Sequence, residues 1–428
     1  MEQKNERGRV ITPRIDECMK SVDNLMNGSG KNKGAVVKLY LTNFKSYNDA
    51  FGYRFGGRLI NEITAFLESV KDVEAYNIRG VEYILLIKAS SRRTISEALD
   101  EIMRRFDDAW HIDNVICTCS VNGGIVYLPG DAATPNEVLE QLSTAIAESI
   151  LIGQNHIVEY DSVLIKKYQR RNAIAQRIPQ ALQDGSIETW FWPTYQVSAK
   201  KYARIDCNLR MHCQGLGLIQ EAELISVAEQ SGQIGAISRF VVSRMCGLIS
   251  ELISQNKEFE TVGVRLSLVQ LLQDRFIRDL ADIIEEAGIP ADRLAFEVNE
   301  ATANSSFSRI YMCMGELSEM GIEMILSDFG TGSLGIYSIL SMSINTVKID
   351  KQLIAQMESM PNGTALLDSL ISLSKSFGLK LVAEGVGTAE QARLLEELGC
   401  DYQKGVYYNP ALTSDGVISI LPDAGASK

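Results

Sequence analysis

The sequence predicts an α/β protein in two parts, a mixed α/β domain followed by a (β/α)8 barrel. Three observations carry that expectation. The chain has 428 residues, too many for one ordinary core. Its second half holds eight strand-like runs, most of them followed by an amphipathic helix. Several of those helices stop at a glycine, as a left-handed C-terminal cap requires. An open doubly wound sheet is the alternative fold.

Taken in order, residues 1–33 are polar and end in NGSGKNKG, a turn-rich segment. A first domain is expected over 34–160. In it AVVKLYLTNF reads as a strand, and AFGYRFGGRLINEITAFLESV as a glycine-rich entry into a helix. VEAYNIRGVEYILLIKA reads as two strands about a tight turn at Arg79-Gly80, RTISEALDEIMRRFDDAW as a helix and NVICTCSVNGGIVYL as one strand. Residues 161–185 read as a charged helical linker, which Pro179 should kink or divide. The barrel is expected over 186–420, with strands in TWFWPTYQV, ARIDCNLRM, TVGVRLSL, RLAFEVNE, IEMILSDF, TVKIDK, KLVAEGVG and YQKGVYY, and a tail over 421–428.

Composition excludes several classes. The formal net charge of -12 argues against nucleic acid or an anionic membrane as a partner. No run is long and apolar enough for a membrane span, and MEQKNERGR is no signal peptide. Eight scattered cysteines and three histidines give no zinc spacing and read as reduced thiols in a cytoplasmic protein.

Chemistry-bearing residues gather at the strand ends, the functional face of such a barrel. Glu297 and Glu300 close AFEVNE, Asp328 closes ILSDF, Lys348 lies in VKID and Glu384 in VAEG. Converging carboxylates suit Mg²⁺ or Mn²⁺, which prefer oxygen ligands. Paired metals activate water and stabilise a phosphoryl leaving group, with a lysine beside them to hold water or phosphate. They call for a bridging carboxylate, and Ser327 beside Asp328 cannot supply one.

These strand ends, in this order, resemble the EAL domain, the cyclic di-GMP phosphodiesterase barrel. SDFGTG is similar to its DDFGTG, FEVNE to its E-[LIV]-[TN]-E, and VKID, VAEGVG and KGVYYNP follow at the family's intervals. The name motif falls on DCNLR, Asp206 to Arg210. The first half resembles a GGDEF domain, the diguanylate cyclase fold, through NFKSYNDAFGYRFGG and GQNHIVEYD, with the name motif on RGVEY, Arg79 to Tyr83.

Both motifs depart from their families, and the resemblance implies what that costs. Tyr40 and Val81 stand where GGDEF domains place metal-binding acids, and Arg79 replaces a glycine of the phosphate turn. Asn48 keeps a guanine-contacting position, so GTP is a candidate ligand there. In the EAL half Asp206 shortens the name-motif glutamate, Arg265 replaces a metal-binding asparagine and Ser327 replaces the bridging aspartate. Gly387 replaces a glutamate and Lys404 a glutamine. Arg265 and Lys404 are therefore expected to reach into the mouth and compensate Asp206, Glu297, Glu300, Asp328 and Glu384 in place of divalent ions.

The reading that follows is a non-catalytic regulator of cyclic di-GMP-type signalling, a pseudoenzyme acting through an unidentified protein partner, with no metal and no cofactor. One alternative is a cyclic di-GMP receptor, with Arg210, Arg265, Lys404 and Trp192 as ligand contacts. The other is a residual phosphodiesterase, which alone would need Mg²⁺ or Mn²⁺. The loop GTGSLGIYSIL after Asp328, with apolar Ile336, Ile339 and Leu340, is assigned to assembly, a homodimer included. The competing assignment is that these residues begin a helix that packs on the barrel.

Overall fold

The computed structural model describes residues 15–27, 34–130, 132–303, 308–330, 336–356 and 362–425. They form two compact units, Met1–Gln169 and Arg170–Lys428. The expected linker is one helix, Ser162–Asp184, in which the division falls.

The first unit holds strands β1 (Gly34–Leu41), β2 (Val73–Arg79), β3 (Glu82–Ile87), β4 (Trp110–Ile112), β5 (Val115–Cys117), β6 (Val121–Leu128) and β7 (His156–Glu159). Five make one sheet in the order β2-β3-β1-β6-β7, while β4 and β5 pair separately. Strand alternation sends Val37 and Leu39 to one face of β1 and Val36 to the other. Each face has its own core, one including Leu59 and Ile63 of helix Tyr53–Ser69, the other Val22 of helix Ile15–Asn27 and Leu142 of helix Pro135–Ile152. Gly124 permits the last contact, since a Cβ there would lie 2.6 Å from Leu142 O.

Two expectations in this unit are corrected. NVICTCSVNGGIVYL is not one strand, because Thr118 gives its N–H to Tyr47 Oη at 3.1 Å and its carbonyl accepts from the same hydroxyl. That side chain takes the place of a ladder partner, and the chain breaks between β5 and β6. The run after β1 is a short helix, Phe44–Phe51, which ends at Gly52 (φ 81°) before the next helix starts at Tyr53.

In the second unit all eight expected runs form strands: β8 (Ile187–Gln196), β9 (Lys201–Cys213), β11 (Thr261–Arg265), β12 (Leu294–Asn299), β13 (Glu323–Phe329), β14 (Thr346–Ile349), β15 (Lys380–Glu384) and β16 (Tyr402–Lys404). A short β10 (Gly217–Gln220) folds back on the end of β9. The barrel runs from β9 through β11 to β16 in parallel steps and closes through β8, which is antiparallel to both neighbours. The β8–β9 hairpin replaces the first crossover helix of an ideal (β/α)8 barrel. Along β12, Leu294, Phe296 and Val298 pack outward on the helices, so Glu297 faces inward.

Pro179 lies inside a single helix, so the expected division into two shorter helices is not found. Proline cannot donate to the carbonyl four residues back, which is that of Ala175. Gln233 Nε2 donates to Ala175 O instead, at 3.0 Å. Of the loop assigned to assembly, residues 331–335 lie outside the described residues. Beyond them Ile339 is buried in the barrel's outer core, which favours the packing assignment for that residue.

Candidate functional site at the barrel mouth

The site is written into strand register. Arg265 ends β11 directly beside Glu297 on β12, and Glu384 on β15 lies beside Lys404 on β16. Asp206 lies next to Gly263 on β11, and Trp192 of β8 is opposite it. Asp328 lies within a register shift in the β13–β14 pairing, between Leu326 and Phe329, and has φ 55°, a left-handed conformation. Aspartate tolerates that region better than most residues, and bulges re-aim side chains at barrel rims.

Cations of the chain bind these carboxylates. Arg265 Nε donates to Glu297 Oε1 at 2.7 Å, and its two Nη atoms donate to the two oxygens of Asp328 at 3.2 and 3.1 Å. Lys348, 2% exposed, donates to Asp206 Oδ2 at 2.7 Å and to Glu297 Oε2 at 2.6 Å. Lys404 Nζ donates to the same Asp206 oxygen at 2.5 Å and to Glu384 Oε1 at 2.9 Å.

The electrostatics follow from that packing. Burial alone would push Glu297 up, but Lys348, Arg265 and Lys404 outweigh it and hold the carboxyl well below the usual range. Asp206 is likewise raised by burial and lowered more by Lys348 and Lys404. At Asp328 burial prevails over Arg265, and the carboxyl is raised.

Asp206, Glu297 and Glu384 each offer an oxygen within 4.8 Å of one another, a donor set that suits a hard cation. Those carboxylates are bonded to Lys348, Lys404 and Arg265. Ser327 is fully buried, and its Oγ makes no hydrogen bond among the described residues.

The structure thus brings together Asp206, Glu297, Asp328, Glu384, Lys348, Arg265 and Lys404. It does not bring Glu300 to the same cavity. That side chain is 3% exposed and accepts the Gly330 N–H at 3.0 Å, so it braces the turn after Asp328. Arg210 lies with its guanidinium 4.4 Å from the Trp190 ring centroid and does not line the mouth cavity. Trp192 is half-buried and does not line it either. In the first unit, a Cβ on Gly56 would fall 2.0 Å from Asn48 Oδ1, so that oxygen is turned against the neighbouring helix. Tyr40 and Val81 flank a turn in which Asn77 both accepts from Gly80 N and donates to Gly80 O.

A cavity of about 500 Å³ opens beside Arg265 and Lys404, and Glu221 forms part of its wall. One feature was missed by sequence reasoning. At the opposite end of the barrel, buried Arg204 pairs with Glu260 at 3.0 Å and Glu323 at 2.9 Å and lies over the Tyr402 ring. Its partners are 56 and 119 residues away, and no local motif signals them. No helix among the described residues is long and apolar enough to cross a membrane.

Comparison with known proteins matches the EAL domain to residues 175–411 and the diguanylate cyclase GGDEF domain to residues 16–156. The chain is 24% identical over 374 residues to the bifunctional diguanylate cyclase/cyclic di-GMP phosphodiesterase MucR of Pseudomonas aeruginosa, covering 87% of this chain and 54% of that protein. It is 26% identical over 387 residues to the biofilm architecture maintenance protein MbaA of Vibrio cholerae, covering 87% and 48%. The chain spans about half the length of these curated relatives. Among solved structures, the S helix-GGDEF-EAL portion of Vibrio cholerae LapD, bound to c-di-GMP, has the same fold, with a TM-score of 0.59 at 15% identity over 91% of this chain and 92% of that one.

Proposed function

The chain belongs to the EAL-domain family, with a GGDEF domain ahead of the barrel, and from that premise we propose that it is a non-catalytic regulator of cyclic di-GMP-type signalling that acts through a protein partner. One observation carries the reading: Asp206, Glu297, Asp328 and Glu384 are each bonded to a cation of the chain itself. A guanidinium and two ammoniums supply compensation that a metal pair would otherwise provide. The residues present do not fit two divalent ions, because Ser327 offers no charge to bridge them and the remaining carboxylates are engaged.

The first unit supports the same reading. Tyr40 and Val81, where the family's metal-binding acids would stand, offer no carboxylate for a metal that would activate a 3′-hydroxyl. All eight cysteines are free and seven are buried, which suits a reducing, cytoplasmic setting. Self-association belongs to the proposal as well and is read by light scattering.

The test is incubation of the full chain with cyclic di-GMP and Mn²⁺ or Mg²⁺, followed by chromatography. The expected result is intact dinucleotide, and a linear product above a heat-killed control overturns the reading. Capture of the dinucleotide without hydrolysis is a second reading, favoured by the 500 Å³ cavity beside Arg265 and Lys404. Calorimetric binding without divalent metal would select it.

A further inference from the structure

The mouth cavity owes its shape to a gap in the sheet. On one side β9 pairs with β11 over Arg204, Ile205 and Asp206, and with β10 from Arg210 onward. Residues 207–209 lie between those two ladders with no strand neighbour on that side. Cys207 and Asn208 face the cavity there. A backbone N–H left in such a gap needs an acceptor.

Glu221 supplies it. It is the first residue of helix Glu221–Gln230, and its Oε1 accepts the Leu209 N–H at 3.1 Å while Oε2 accepts from Asn208 Nδ2. The same helix turns Ile225, Ser226 and Glu229 to the cavity, one to two turns further on. Burial pushes the Glu221 carboxyl up, against the pull of those two hydrogen bonds.

We propose that Glu221 acts as an internal stand-in for a ligand, covering donors of the β9 gap and turning the cavity against anionic dinucleotides. Glu221 and Glu229 join Asp206, Glu297 and Glu384 on the lining, where Arg265 and Lys404 are the cations among the described residues. Both cations already hold carboxylates. A molecule with two phosphodiester charges therefore meets net repulsion, and the Asn208 amide on the cavity wall is already bonded to Glu221. The inference rests on the non-catalytic reading of the same mouth and specifies what that mouth rejects.

Calorimetry of cyclic di-GMP without divalent metal, on the full chain and three variants, tests it. Glu221→Ala removes the charge and uncovers the donors. Glu229→Gln removes one charge and leaves the donors covered. Glu221→Pro repeats the first comparison with a residue suited to the opening position of a helix, and serves if the alanine variant melts early. Expected is no measurable binding by the wild type and a gain of about a hundredfold or more in Glu221→Ala, into the micromolar range. Glu229→Gln should gain about tenfold at most. The inference is overturned by wild-type binding within a few-fold of Glu221→Ala, by folded Glu221 variants that bind no better than wild type, or by equal gains at both positions. Hydrolysis by the wild type with Mn²⁺ would instead sink the non-catalytic reading, so the two failures are distinguishable.

Discussion

Arg265 and Asp328 meet through two parallel hydrogen bonds, Nη1 to Oδ2 at 3.2 Å and Nη2 to Oδ1 at 3.1 Å. The pair bridges from β11 to the end of β13 across β12, whose Glu297 receives Nε of the same guanidinium. One planar side chain thus ties three strand ends together and holds Asp328 in a two-bond fork that a lysine could not form. Lys348 does related work deeper in the barrel, between Asp206 and Glu297.

The two cations should differ in what their loss costs. Lys348 is 2% exposed, and Lys348→Met leaves buried carboxylates short of a partner, at about 3–5 kcal/mol. The Arg265 side chain is 44% exposed, so solvent screens the deficit, and Arg265→Ala should cost about 1 kcal/mol. Urea denaturation of both variants measures the difference. Equal losses would contradict the assignment of Lys348 as the central counter-ion.

How much of this was legible in the sequence depended on distance along the chain. The strand-end acids were visible because each closes an apolar run, and eight such runs, most followed by a helix, pointed to the barrel. Lys348 was visible as a residue, but its role was not, since its partners stand on β9 and β12. Glu300 follows Glu297 by three residues, the same face of a helix but the opposite face of a strand, and only the fold shows that it turns to Gly330. Gln233 carries no motif at all, and its match to the Ala175 carbonyl is a tertiary fact. The Arg204 network is hidden for the same reason.

Acid should expose the counter-ion network. Asp206 and Glu297 are raised by burial and lowered further by their cations, so both titrate below the ordinary carboxylate values of about 3.9 and 4.3. Their contribution to stability is full above those unfolded values and is lost as pH falls through the folded ones. Glu221 has the opposite sign, because burial raises it. Its ionisation opposes folding at neutral pH, and that penalty is lifted as pH falls. Glu221→Gln should therefore melt above wild type at pH 7, with the gap closing toward about pH 4. A gap that widens on acidification would contradict this.

Pro179 is tolerated because Gln233 serves the carbonyl of Ala175. Gln233→Ala should cost about 1 kcal/mol in urea denaturation by leaving that acceptor unmet. In a Pro179→Ala background the helix regains its own donor, and the cost of Gln233→Ala should shrink. An unchanged cost would place the glutamine's contribution elsewhere.

The first unit should make no cyclic di-GMP. Tyr40 pairs in register with Glu82 beside the turn at Gly80, and Val81 and Arg79 flank that glycine. Chromatography of a GTP and Mn²⁺ reaction should show no product above a heat-killed control, and a clear product peak would refute the expectation.

On the proposed reading, Arg265, Lys348 and Lys404 take the place of divalent ions at the barrel mouth. Titration of the purified full chain with Mn²⁺, followed by calorimetry and by anomalous diffraction from crystals, tests it most directly. Expected is no stoichiometric metal at the mouth in the wild type, and no hydrolysis by Arg265→Asn, since Ser327 still offers no bridging charge. One or two equivalents of Mn²⁺ held by Glu297 and Asp328 would contradict it.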